Sequence, residues 1–188
     1  MTDQMSDDLD LRRHIRDVPD FPKPGIVFKD ITPLLAHPGA FHATIDRFID
    51  RYRGTVDIVL GIESRGFIIG AAVAYGLGTG IALVRKPGKL PAQTYVAAYE
   101  LEYGTDKLEI HHDAFGHDAP GREALGHRVL VLDDLLATGG TASAAVVLVR
   151  RCGGQVVACA FVIELGFLNG RRRLAGQEVF SLVRYDGP

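Results

Sequence analysis

The chain has 188 residues, enough for one domain with a sizeable core that needs neither disulfides nor a structural metal. Hydrophobic residues make up 47% and charged residues 23%, a globular balance, and a net charge of −2 argues against a general nucleic-acid binder. No apolar run reaches membrane-spanning length and the polar, acidic start MTDQMSDDLDL is not a secretory signal, so a cytoplasmic protein with no membrane or nucleic-acid partner is expected.

Leu11, Ile15 and Val18 recur at helical spacing and predict a short amphipathic helix over about residues 7–17. The proline-rich stretch that follows predicts a shaped loop with a short extended piece at 25–28. Pro38 fits the first turn of the next helix, whose buried stripe is Phe41, Ile45, Phe48, Ile49 and Tyr52. Residues 56–61 (VDIVLG) read as a strand covered on both faces, followed by a sharp turn at 63–65 and a small-residue helix over about 66–76. Residues 81–84 read as a second buried strand.

Residues 85–111 break this rhythm. RKPGKLPAQT is loop chemistry, and 95–102 with 107–111 read as hairpin arms joined at 103–106. A long excursion of this kind is usually functional or disordered. Residues 113–127 read as a polar linker. Strands at 128–132, 156–163 and 179–183, with a helix over 142–151, complete an α/β pattern with a largely parallel sheet. Arg150 and Arg151 suit the negative end of that helix dipole.

Cys152 and Cys159 lack a CxxC spacing and read as small apolar residues in a reducing compartment. His111, His112 and His117 have no acidic partner at a recognisable ligand spacing, so a solvated loop is the better reading than a transition-metal site.

The informative stretch is VLVLDDLLATGGTA at 129–142. A buried strand delivers Asp133 and Asp134 at its carboxyl end, where ligands bind in open α/β sheets. A turn of small residues follows, and a helix begins at once. The N–H groups of Ala137, Thr138, Gly139, Gly140 and Thr141 can converge on an anion, helped by the positive helix end and two threonine hydroxyls. This is neither a Walker A loop nor a GxGxxG fingerprint. Two carboxylates beside a phosphate cradle make sense if they grip the hydroxyls of a sugar whose 5′-phosphate occupies it.

With that stretch on the page, the chain resembles the type I phosphoribosyltransferases, which bind 5-phosphoribosyl-1-pyrophosphate (PRPP), in the form seen in their adenine-specific branch. FPKPGIVFKDITPLL at 21–35, GIESRGFIIG at 61–70, VRKPGKLP at 84–91, YELEYGTDKLEIHHDA at 99–114 and VIEL at 162–165 agree in order. The resemblance covers nearly the whole chain. It implies a twisted, mostly parallel sheet flanked by helices in a single domain over 1–188. A small hood would come from about 1–36 and 164–188, and a flexible catalytic loop would span about 85–111. The implied reaction joins adenine to the phosphoribosyl group of PRPP, giving AMP and pyrophosphate, in a homodimer.

The resemblance also distributes roles. Asp133 and Asp134 would hold the ribose hydroxyls, and Ala137 to Thr141 the 5′-phosphate. Glu63, Ser64 and Arg65 match the pyrophosphate loop, with a cis peptide between Glu63 and Ser64. Arg65 suits a diphosphate because its planar fork presents paired donors. Arg85, Lys86 and Lys89 would neutralise the same group, and in such dimers Arg85 or Lys86 reaches the neighbouring subunit's site. Glu102 and Tyr103, at the hairpin tip, would close over the substrates; Glu102 is the implied catalytic carboxylate and Arg65 its partner in catalysis. Phe28 would stack on adenine, backbone groups of Val27 and Lys29 would pair with its edge, and Leu165 would pack on its face. Mg²⁺ is the implied cofactor, bound mainly through substrate oxygens with no direct protein ligand.

Where 6-oxopurine relatives carry a base-contacting aspartate, this chain has Ala137, which favours adenine. FGHDAPGREALGH at 115–127 is longer than the family pattern and is a solvent loop by composition. The alternatives are an enzyme for xanthine or a 6-oxopurine, a regulator that binds PRPP without catalysis, and a plain nucleotide-binding domain. A regulator would carry a DNA-binding appendage, and a plain domain leaves the hairpin at 99–114 unexplained.

Overall fold

The computed structural model describes residues 9–100, 105–116 and 126–187. Residues 7 and 8 of the helix expected over 7–17 lie outside the described residues; the rest of that span holds a 3-10 turn, Leu11–His14, and the start of a strand, β1 (Arg16–Val18). Leu11 and Ile15 are buried as their spacing predicts. Pro19 disfavours helix at Val18, and antiparallel pairing with β2 (Phe28–Asp30) offers the backbone another partner. Arg16 closes this ribbon onto Asp30. The extended piece expected at 25–28 therefore lies a few residues later.

A short helix, α1 (Thr32–Ala36), precedes α2 (Pro38–Tyr52). Pro38 occupies the first turn as expected, and the His37 side chain caps the helix by accepting from the Ala40 N–H at 3.1 Å. Ile45, Phe48, Ile49 and Tyr52 are buried along one stripe, while Phe41 is half-buried.

The main sheet has five parallel strands: β3 (Ile58–Ile62), β4 (Gly80–Val84), β7 (Arg128–Leu136), β8 (Gln155–Leu165) and β9 (Glu178–Tyr185), in the order β4-β3-β7-β8-β9. Two strands outside it, β5 (Thr94–Glu100) and β6 (Thr105–His111), form the expected hairpin. α3 (Arg65–Leu77) follows β3, and α4 (Gly140–Arg151) follows β7.

Alternation along the strands divides the core in two. Val59, Leu130, Leu132, Ala158, Ala160 and Val162 pack with Phe48 of α2 and with Ile69 and Val73 of α3. Their neighbours Leu60, Ile62, Val129, Val131, Cys159 and Phe161 pack with Leu148 and Val149 of α4 and with Leu108 and Ile110 of the hairpin. The hairpin thus helps cover one face of the sheet rather than standing apart. β4 lies at the sheet edge, so Leu83 is 39% exposed and the strand is not covered on both sides as expected. Phe115 opens the supposed solvent loop yet is 5% exposed, wedged against the second core; residues 117–125 lie outside the described residues.

The C-terminal segment supplies the fifth strand of the sheet. It also touches the N-terminal segment: Arg12 donates to the Arg184 carbonyl, and the Lys29 ammonium lies 4.4 Å from the Tyr185 ring centre. No described helix is long and apolar enough to cross a membrane.

Candidate active site

β3 and β7 are neighbours, with Gly61 opposite Leu132. From β3 the chain passes through α3 to β4 on one side; from β7 it passes through α4 to β8 on the other. The carboxyl ends of β3 and β7 therefore flank a topological switch point, the place where α/β sheets open a crevice. A cavity of about 250 Å³ lies there, lined by Glu63, Arg65, Lys86, Tyr99, Leu108 and the unbroken run 133–142.

Glycines make its walls close. A Cβ on Gly66, in the first turn of α3, would stand 2.9 Å from both the Asp133 Oδ1 and the Leu132 carbonyl oxygen. Only a bare backbone lets that helix end approach the β7 carboxylates. Gly139 adopts φ +82° and caps α4 without a side chain, which turns the chain from strand into helix within a few residues. The Glu63–Ser64 peptide is cis, as the resemblance implies. Ser64 precedes α3 directly.

Charges in the cavity are paired in a chain. The Arg65 Nε donates to the Asp134 Oδ2 at 2.5 Å, and its guanidinium carbon lies 5.5 Å from the Phe28 ring centre. The Asp134 N–H donates to the Asp133 Oδ1 at 2.9 Å. Burial, and then the charge of Asp134, hold the Asp133 carboxyl well above the usual carboxylate range. The Glu63 Oε2 accepts from the Arg85 Nε at 3.1 Å and from the Lys86 N–H at 3.0 Å. The Lys86 Nζ donates to the Asp106 Oδ2 at 2.8 Å, and the Tyr99 hydroxyl reaches the same oxygen at 3.1 Å. Hydrogen bonding to Asp106 raises the Lys86 pKa, so this amine stays charged beside the cavity.

Of the residues singled out from the sequence, Glu63, Arg65, Lys86, Asp133, Asp134, Ala137, Thr138, Gly139, Gly140 and Thr141 share this cavity. Arg85 stands behind its wall, bonded to Glu63 and to the Lys89 carbonyl at 3.2 Å, and Lys89 is exposed. Phe28 reaches the site through Arg65. Val27 and Leu165 do not line the cavity. The Lys29 side chain turns away, 6% exposed, to pair with Asp17 at 2.9 Å. Glu102 and Tyr103 lie outside the described residues. The sequence reading missed Tyr99, Leu108, Leu135, Leu136 and Ala142 as lining residues. Period-two alternation along the hairpin arm, which sets Ala97 and Tyr99 on one face, was the signal for Tyr99.

The arrangement brings the small-residue turn 137–141, a pair of carboxylates and the cationic side chains of Arg65 and Lys86 into one crevice. Among the described residues no group of three or more His, Cys, Asp or Glu side chains surrounds a metal position. The cavity carboxylates are all engaged, Glu63 by Arg85, Asp134 by Arg65 and Asp133 by the Asp134 N–H, so they suit only a hard cation that takes most of its oxygens from substrate and water.

Known proteins share this design. The phosphoribosyl transferase domain family matches residues 33–180. An adenine phosphoribosyltransferase of Syntrophotalea carbinolica is 58% identical over 177 residues, which cover 94% of this chain and 99% of that one. The crystal structure of the adenine phosphoribosyltransferase from Thermoanaerobacter pseudethanolicus superposes with a TM-score of 0.85 at 48% identity, covering 93% and 98% of the two chains. That of Saccharomyces cerevisiae, complexed with an imino-altritol bisphosphate and adenine, gives 0.82 at 38% identity, covering 92% and 96%. A shared overall fold and identity sustained along almost the full length of these enzymes leave one assignment: the chain belongs to the adenine phosphoribosyltransferase family.

Proposed function

We propose that this protein salvages purines by transferring the 5-phosphoribosyl group of PRPP to adenine, giving AMP and pyrophosphate. One observation carries the reading: Arg65, the pair Asp133 and Asp134, and the turn 137–141 line a single cavity. The 5′-phosphate rests among the backbone N–H groups of Ala137, Thr138, Gly139, Gly140 and Thr141, at the positive end of α4. Asp133 and Asp134 accept from the ribose hydroxyls. Asp133, held protonated more readily than an ordinary carboxyl, can also donate.

Pyrophosphate lies against Glu63, Ser64 and Arg65, with Lys86 facing it and Arg85 and Lys89 adding positive charge nearby. Asp133 and Asp134 would stand beside a Mg²⁺ bound mainly through substrate, which would supply charge neutralisation to the leaving diphosphate. The bond from C1′ to the pyrophosphate oxygen breaks through an oxocarbenium-like state, and the bond from C1′ to adenine N9 forms on the opposite face as the N9–H bond breaks, its proton passing to a pyrophosphate oxygen or to solvent. Arg65 stabilises the departing charge. Glu102 and Tyr103 close over the reactants and exclude water. Adenine stacks on Phe28, with backbone groups of Val27 and Lys29 at its edge and Leu165 against its face. The segments around these four residues form the hood.

A homodimer completes the proposal. Ile68 (50%) and Tyr75 (90%) on α3 and Leu83 (39%) on β4 are large apolar side chains left in solvent by one chain. Cys152 and Cys159 are unpaired thiols, which suits a cytoplasmic setting. The test is incubation with adenine, PRPP and Mg²⁺, following AMP and pyrophosphate. Equal or faster turnover of hypoxanthine would sink the adenine assignment, and no turnover of any base would sink the enzyme.

A further inference from the structure

The turn at 137–141 is built from small residues, and such a turn has many conformations available to it. Something outside the cavity has to hold its shape. The contact is backbone on backbone. A Cβ on Gly139 would fall 2.4 Å from the Gly170 carbonyl oxygen, and a Cβ on Gly170 would fall 2.2 Å from the Ala137 carbonyl oxygen and 3.1 Å from the Gly139 nitrogen. Neither partner is a side chain that can swing aside.

Gly170 opens a 3-10 helix, Gly170–Leu174, far along the chain from the turn. Arg171 fastens that helix to the sheet. Its Nε and one terminal nitrogen donate to the two oxygens of Glu164, each at 2.7 Å, and its other terminal nitrogen donates to the Val179 carbonyl at 2.9 Å. Glu164 is 3% exposed near the end of β8 and accepts further bonds from Ser181 at 2.6 Å and Arg184 at 3.1 Å. A two-pronged arginine–carboxylate pair resists rotation in a way a single bond does not.

We infer that Glu164, Arg171 and Gly170 form a strut that fixes the 137–141 turn in its anion-binding shape and thereby sets affinity for the phosphate end of the substrate. The inference rests on the phosphate position proposed above. None of the three lines the cavity, so they are positioning residues. A purely structural role for the same network would lower stability and leave ligand preference alone.

AMP and adenosine, which differ only in the phosphate, separate these outcomes. Calorimetric titration of both ligands is run on the wild type, Gly170→Ala, Arg171→Leu and Arg171→Lys, with circular dichroism and thermal unfolding alongside. The expected result is AMP binding weakened about tenfold or more in Gly170→Ala and Arg171→Leu, with adenosine binding unchanged, the scale of a lost charge-assisted contact. Arg171→Lys, which keeps charge but not the fork, falls between. Folded variants that retain the wild-type ratio of AMP to adenosine affinity overturn the strut. If Arg171→Leu does not fold, Gly170→Ala and Arg171→Lys decide by the same ratio. Wild type that binds AMP no better than adenosine overturns the phosphate position itself, and the strut with it.

Discussion

Arg65 and Asp134 meet at 2.5 Å across the switch point between β3 and β7, joining the start of one helix to the end of a different strand. The pair stands where a diphosphate leaving group and a ribose hydroxyl would compete for it. On the proposed function, substrate binding would exchange one set of charge-assisted bonds for another. Arg65→Ala removes the donor fork and leaves Asp134 without its partner. The expected outcome is a fall in kcat/KM of about 10²–10³-fold, the range for losing a preorganised charge-stabilising donor. Arg65→Lys restores less than half of that loss on a logarithmic scale, because an ammonium lacks paired donors. Steady-state kinetics with PRPP as the varied substrate checks both.

Asp133 places stability and function in opposition. Its folded pKa lies above the ordinary value near 3.8, with burial the first cause. The native chain then binds more protons than the unfolded one, so stability falls as pH rises above that ordinary value. At neutral pH the carboxyl is a cost to the fold. Asp133→Asn keeps an oxygen to accept from the Asp134 N–H and removes the charge. Its Tm at pH 7 is expected to rise by about 2–4 °C, the shift that about 1 kcal/mol gives in a chain of this size. The wild type and variant should converge on acidification, while kcat/KM for PRPP drops in the variant. A variant that unfolds earlier than wild type at pH 7 contradicts this account.

The opposite sign applies at Asp57. Hydrogen bonds from the Arg128 side chain and backbone pull its pKa down to about 2. Its contribution to stability is present above pH 3.8 and is lost as pH falls from there towards 2. Asp57→Asn should unfold earlier than wild type at pH 6, with the gap closing near pH 2. The pair is partly exposed, so added salt should shrink the difference. Urea titrations at the two pH values provide the measurement.

Thr138 and Thr141 line the cavity in which the proposed function places the 5′-phosphate. On that proposal, replacing either hydroxyl, Thr138→Ala or Thr141→Val, would remove one hydrogen bond to phosphate. The expected change is a rise of about fivefold to thirtyfold in KM for PRPP, the equivalent of roughly 1–2 kcal/mol. The KM for adenine should stay within error of wild type.

Tyr75 is the most exposed of the large apolar residues, and it lies on the helix that begins at Arg65. Tyr75→Glu places a charge on the face assigned to the dimer contact. Sedimentation velocity should show the wild type at twice the mass of the variant. Equal masses would remove α3 from that contact.

Several features were legible along the chain. Short continuous apolar runs marked β3, β7 and β8, and Pro38 marked the start of α2, because those signals depend on near neighbours. The DDLLATGGTA run exposed its chemistry for the same reason: acids, turn and helix start are consecutive, so one strand–turn–helix corner assembles them. The first segment misled, since Leu11 and Ile15 satisfy a helix and a 3-10 turn with a strand equally well, and β2 decided between them. Glu63 lines the cavity as its place in the turn suggested, but only the folded chain shows its carboxylate bonded to Arg85 and the Lys86 backbone.

Sequence alone fixed which faces are apolar and that a turn of small residues follows two acids at the end of a buried strand. Local spacing carries that information, and backbone geometry converts it directly. Only the tertiary structure decided that Arg65 meets Asp134, that Tyr99 joins the cavity wall, and that Gly170 abuts Gly139. The Arg65–Asp134 and Gly139–Gly170 contacts join residues 69 and 31 positions apart, through strand order and helix placement. Strand order depends on how two apolar faces are buried together, a property of the whole core that no single stretch of the chain encodes.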